Sequence, residues 1–245
     1  MPFTLNGCGT SVCPARGLVA WTKGKWYSSP ALDYDALECL VFFFLPIIPY
    51  RAIHTFDWNG SNYRRIPLRW SGTLILKAFL RRWLVGVSYI GCILTFIGLF
   101  LPDPDRWSLL GYGIIIVLFS GGGLYSLHFL DERTRNIRRL LGKHSYGSSD
   151  PATWHPSLLS NLKTPKELFG TNDFCSAVMT LLKDGKLSSA MWAARLSSAL
   201  EDKTVGEKLT NEVFADGQVK VALYKIKRNP ARWKEFVILP DPVLN

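Results

Sequence analysis

Cysteine is scarce, with five in 245 residues at positions 8, 13, 39, 92 and 175. That is neither the density nor the spacing of a disulfide-stapled scaffold. No fixed repeat runs along the chain, which excludes collagen-like and coiled-coil classes. The first twenty residues hold Gly7, Gly9, Pro14 and Gly17 but no apolar run, so no cleaved leader is expected. Catalytic signatures are missing: there is no P-loop, H-E-x-x-H, G-x-S-x-G or G-x-G-x-x-G. Acidic residues are outnumbered, 19 against 29 Lys and Arg, which leaves a net charge of +10.

What is abundant is apolar and aromatic. Hydrophobic residues make up 48% of the chain and aromatics 13%, enough to rule out disorder over most of it. The excess sits in one block. Trp83 to Leu101 is nineteen residues without a charge, roughly 28 Å as a helix. Leu109 to Leu130 is twenty-two residues, roughly 33 Å, with His128 as its only ionisable group. Both match the ~30 Å hydrocarbon core of a bilayer. Pro102 and Pro104 between them cannot continue a helix, so the expectation is a transmembrane helical hairpin. Ser71 is placed to cap a helix that starts at Gly72 and runs into the first span.

Charge sets the expected orientation. Arg51 to Arg82 holds seven basic residues against Asp57, a net +6. Asp131 to Lys143 carries a net +3, and the Pro102 to Ser108 link a net −1. The positive-inside rule then places both termini in the cytoplasm. Trp83, Trp107 and Tyr125 lie at or towards span ends, as interfacial anchors do. This flanking role accounts for much of the basic excess, and no nucleic-acid motif accompanies it, so nucleic acid is not an expected partner.

Residues 1–70 read as a small β-rich module. Leu37 to Leu45 is a dense apolar strand candidate that Pro46 should end. Arg51 to Trp58 alternates, with His54, Phe56 and Trp58 on one face. Asn59-Gly60 is a hairpin signal, and Ser61 to Leu68 the returning strand. A re-entrant or interfacial segment is the alternative for Val41 to Tyr50. Three short motifs, NGCGT (Asn6 to Thr10), FFFLPIIPYR (Phe42 to Arg51) and YRRIPL (Tyr63 to Leu68), resemble those of uncharacterised bacterial membrane proteins. Those proteins carry an N-G-x-G-T start and a P-x-I-P-x-R corner before their hydrophobic spans. Here Ser11 to Arg16 reads SVCPAR where they often show a Tyr-Gly-Lys-Arg-like stretch. The resemblance implies a bacterial inner (plasma) membrane and transfers no activity and no site residue.

Beyond the spans, Asp131 to Leu141 should continue as a basic helix that stops at Gly142. Residues 144–153 have a linker's composition, and 154–245 read as a mostly α-helical cytoplasmic domain. Helices are expected over Thr171 to Leu182, Leu187 to Leu200 and Val205 to Ala215. Asp216 should cap a fourth, with Val219, Ala222, Leu223 and Ile226 on one face. A strand is the alternative over Val219 to Lys227. Lys220 to Lys234 is basic without an acid between, a solvated face or a contact for anionic lipid.

The chemistry-bearing candidates are few. Cys8 and Cys13 in C-x4-C spacing, with Cys39 and His54, are the only set that suggests zinc, and reduced thiols are the plainer reading. Cys92 and Cys175 read as packing residues. His128 is an intramembrane ionisable group, close enough to the span end to reach interfacial water. Gly91, Gly98 and Gly121 to Gly123 allow close helix approach, either within the hairpin or between copies. The expected class is therefore an α+β membrane protein: β module (1–70), transmembrane hairpin with basic flanks (71–143), linker (144–153) and helical domain (154–245). Neither a catalytic residue nor a cofactor is assigned. A scaffold or assembly subunit, contacting the bilayer and a protein partner or its own copies, is the expected role. An oligomeric transport or channel component is the alternative.

Overall fold

A computed structural model describes residues 4–5, 8–20, 32–58, 63–102, 105–160, 162 and 164–236. An N-terminal antiparallel sheet comes first, with strand order β1-β2-β3-β4-β5. The strands are β1 (Thr4–Leu5), β2 (Cys8–Ala20), β3 (Leu32–Phe42), β4 (Leu45–Trp58) and β5 (Arg64–Pro67). Since β1 is only two residues long, four strands make up nearly all of the sheet. β4 and β5 pair with His54 opposite Ile66 and Phe56 opposite Arg64. A mostly helical region follows, containing two long apolar helices, α1 (Gly72–Phe100) and α2 (Asp105–Leu130).

The β expectations change in detail. The apolar run from Leu37 does not end at Pro46. It ends in a tight turn at Phe43 and Phe44, both with positive φ (46° and 63°), and Pro46 and Pro49 lie inside β4. Proline is tolerated in a strand where its missing N–H is not needed by a neighbour. His54 and Phe56, expected on one face, are buried, and so are Ile53 and Thr55, so β4 is covered on both faces there. The side chain of Trp58, the Asn59-Gly60 turn and the Asp103-Pro104 pair lie outside the described residues.

The chain divides into two compact units. One comprises Met1–Arg16, Ala36–Ala52 and Trp70–Glu132. In it α1 and α2 pack side by side along a glycine seam. A Cβ on Gly91 would meet Ile116 at 2.8 Å, one on Gly98 Leu110 at 3.1 Å, and one on Gly123 Leu84 at 3.0 Å. Helix α1 begins at Gly72 as expected, but the Ser71 hydroxyl pairs with Thr73 Oγ1 at 2.8 Å and leaves the helix amides uncapped. Leu101 takes the extended conformation that a following proline imposes.

The other unit comprises Gly17–Asp35, Ile53–Arg69 and Arg133–Asn245. Here α3 (Glu132–Leu141) is set off from α2 by a turn at Asp131 and ends at Gly142, whose φ is +72°. Residues 144–153 are no slack linker, because Gly147 through Pro151 are buried. A 3-10 turn at Pro151–Thr153 follows, then α4 (Pro156–Leu159), α5 (Pro165–Phe169), α6 (Phe174–Lys183), α7 (Leu187–Leu200), α8 (Lys203–Ala215) and α9 (Gly217–Arg228). The last resolves the strand alternative in favour of helix. Asp216 caps it, accepting from the Gln218 and Val219 amides, and Val219, Ala222, Leu223 and Ile226 are its buried face. Helix α7 is the centre, buried at every position from Leu187 to Ser198. Gly206 of α8 lies against Ser198 so closely that no Cβ fits between them. Trp154, fully buried, stacks edge-on with Trp192 and donates its indole N–H to Ser149 Oγ at 2.9 Å.

Candidate functional site

The two long helices differ from α7 in what they bury. Within the most apolar stretch of α1 only 11% of residues are buried, and within that of α2 only 17%. The buried ones are mostly the small residues of the seam. Ile90, Ile93, Phe96, Phe100, Ile115, Leu118 and Phe119 are all exposed. A soluble monomer rarely leaves so large an apolar surface uncovered.

At the start of this surface sits a charged collar. Lys77 and Arg81 are one helical turn apart on α1, so they project from one face. Both grip Asp131, Lys77 Nζ at 2.7 Å and Arg81 through Nη2, and the Asp131 side chain is 1% exposed. Sequence reasoning counted the cations and missed their shared anion; the i, i+4 spacing was the available signal. Arg82 turns elsewhere and donates Nε–H to the Phe44 carbonyl at 3.0 Å. This fastens the β3–β4 turn to α1, where Leu45 also lies against Gly86. Phe42, Phe43 and Phe44 at the turn are all more than half exposed.

A second group of charges is wholly buried. His54 Nδ1 lies 3.0 Å from Asp35 Oδ1. Arg138 ion-pairs with the same Asp35 oxygen and donates to the Gly17 carbonyl at 2.7 Å. Asp33 accepts from the Ser148 amide at 2.9 Å. Burial, and then the Arg138 charge, hold His54 below its ordinary value against the pull of Asp35, so the ring is neutral. An imidazole oriented by a carboxylate has the makings of a general base. Here its Nε2 is covered and reaches no hydrogen-bond partner among the described residues. The arrangement works as a polar pin between strands and α3.

Arg195 forms a similar pin. Its Nε and Nη2 bind Asp150 at 2.9 and 2.8 Å, and its Nη1 binds Glu207 at 2.7 Å. Burial opposes its charge, but Asp150 and then Glu207 outweigh burial and raise its pKa.

The cysteine set comes together only in part. Cys13 and Cys39 are both fully buried and hydrogen-bonded to each other across β2 and β3. That contact, helped by the Arg82 charge, pulls the Cys13 thiol down; the same contact and burial push Cys39 up. The side chain of Cys8 lies outside the described residues. Among the described residues no three His, Cys, Asp or Glu side chains converge as a metal site, and His54 is engaged with Asp35. Cys92 and Cys175 are exposed, a correction to their reading as packing residues. His128 is exposed on the last turn of α2. Of the glycine run, Gly123 belongs to the seam, while Gly121 and Gly122 have nothing within 4 Å. No protein-family model, curated protein or solved structure matches the chain.

Proposed function

We propose that the chain is a two-pass integral protein of a bacterial inner membrane, with both termini cytoplasmic, acting as a non-enzymatic scaffold or assembly subunit. One observation carries the membrane reading: α1 and α2 lie mid-chain and bury less than a fifth of the residues in their most apolar stretches. A soluble core helix looks like α7, buried along twelve successive positions. Lipid is the solvent that suits the exposed Ile, Leu and Phe side chains, and both helices satisfy their backbone internally, as lipid demands. The basic residues Lys77, Arg81 and Arg82 stand where a headgroup layer would meet α1, and none lies between Trp83 and Leu101. The scaffold role is motivated by a helical domain with its own core (α6 to α9), placed on the basic side by the positive-inside rule.

Cys175 supplies the test, being exposed on α6. In intact spheroplasts a membrane-impermeant maleimide should leave it unlabelled and should label it after permeabilisation. Labelling without permeabilisation overturns the orientation. Affinity capture from native membranes should recover a stoichiometric partner protein, and repeated recovery of the chain alone overturns the scaffold role. The transport alternative has one observation on its side. A groove of about 380 Å³ on the helix pair, lined by Cys92, Phe96, Leu99 and Ile114 among others, together with open Gly121 and Gly122, offers a face for self-association. Ion or solute flux in proteoliposomes would favour that reading.

A further inference from the structure

A smaller cavity lies beside the charged collar. It measures about 250 Å³ and is lined by Pro14 of β2, Arg81, Arg82 and Val85 of α1, and Leu124 of α2. Two cations form one wall and three apolar side chains the rest. The volume falls below the roughly 300–1,000 Å³ that encloses a drug-sized molecule. It suits one compact anionic group with a hydrocarbon continuation.

Both guanidiniums are held by other groups of the chain. Arg81 uses Nη2 on Asp131 and on the Leu127 carbonyl at 3.4 Å, while its buried Nε has no partner among the described residues. Arg82 spends Nε on the Phe44 carbonyl. Lys77 and Arg81 contact Asp131 while Arg82 contacts a carbonyl, so these four side chains together carry a net charge of +2. The field reaches further, since Arg82 contributes to the lowered pKa of Cys13, one residue from Pro14. The lining thus carries two guanidiniums of which one, on Arg81, keeps a buried N–H with no partner among the described residues, and an anion is the group that complements them.

The position says which anion. Arg82 immediately precedes Trp83, where the uncharged run begins, so the cavity stands at headgroup depth if α1 spans the membrane. Val85 is half exposed, so the cavity opens onto the lipid-facing surface. We propose that this cavity binds the phosphate of an anionic phospholipid, with Arg81 and Arg82 on the phosphate oxygens and Pro14, Val85 and Leu124 against the glycerol and upper acyl chain. Guanidinium suits this task because its planar fork matches phosphate oxygens. A free phosphate would satisfy the arginines but leave the three apolar walls unused. The inference rests on the membrane reading above and adds a specific site to it.

Full-length protein, delipidated in detergent, is titrated with phosphatidylglycerol, phosphatidylcholine or inorganic phosphate and read by native mass spectrometry. One phosphatidylglycerol should bind at least about tenfold more tightly than phosphatidylcholine, a gap of roughly 1.4 kcal/mol. Two variants test the site by independent routes. Arg82→Gln removes the charge, and Val85→Trp fills the cavity with the charges intact. Each should abolish most of the preference, while Lys220→Gln on α9 should leave it unchanged. Thermal melting of each variant near the parent's midpoint shows that it is folded. Equal binding of the two lipids, or a preference that survives both substitutions, overturns the site. Inorganic phosphate that binds as tightly as phosphatidylglycerol overturns the lipid assignment. Failure of the membrane reading looks different: the chain would then stay in the supernatant after detergent-free lysis and ultracentrifugation.

Discussion

His54 is the residue whose environment makes the sharpest solution prediction. Its folded-state pKa lies below the ordinary 6.5, because burial and Arg138 disfavour the charged ring. The unfolded chain therefore takes up a proton first as pH falls. Stability from this group is complete above about pH 6.5 and is lost progressively below it. The thermal midpoint of the detergent-solubilised protein should drop between pH 7 and pH 5.5. In His54→Asn, whose amide can still reach Asp35, that part of the slope should vanish. Arg138 invites a cycle of substitutions. Arg138→Met leaves Asp35 buried without its cation and should cost about 3–5 kcal/mol in denaturant unfolding. Adding Asp35→Asn removes the stranded charge and should recover a large part of that loss.

At the scale of elements, the β3–β4 turn is built against its own propensity. Two-residue hairpin turns with positive φ favour Asn-Gly, and here both positions are Phe. Left-handed backbone costs roughly 1–2 kcal/mol per non-glycine residue. Replacing Phe43 and Phe44 with Asn and Gly should raise the unfolding free energy in detergent by about 1–3 kcal/mol. An unchanged or lower value would show that the phenyl rings contribute to folding. Gly113→Val should do the reverse for the helix pair, because a Cβ there meets the Thr95 amide nitrogen at 2.7 Å and the Gly91 carbonyl at 2.9 Å. Disulfide cross-linking between cysteines placed across the seam should weaken. Elements with a strong local pattern were legible in the sequence. The face of α9 and its Asp216 cap follow from periodicity and capping, and the ends of α7 from its apolar pattern after the Asp184-Gly185 break. The turn at Phe43 was hidden, because an unbroken apolar run carries no signal of where it reverses. Arg138 was hidden for another reason. It counts as one more basic residue until a carbonyl 121 positions away, on Gly17, and the Asp35 carboxylate turn out to hold it. The buried 147–151 segment looked like a linker because Gly, Ser and Asp serve loops and tight polar packing equally well.

For the molecule as a whole, the proposed membrane placement rests on charge distribution. The two basic flanks and the acidic link between the spans oppose each other along the hairpin. Replacing Asp103 and Asp105 with lysine should weaken the orientation bias and produce a fraction of chains with Cys175 reactive from outside intact spheroplasts. The hairpin itself shows how such a chain can be made. Thr95, Ser120 and Ser126 each turn their hydroxyl back to a carbonyl four residues earlier in their own helix, at 2.9, 2.8 and 2.9 Å. These three hydroxyls need nothing from the opposite helix, and the seam closes on glycine contacts. On the transmembrane reading proposed above, each helix would leave the translocon sideways as a finished cylinder and find its mate afterwards by shape, with no half-made polar bonds to shield.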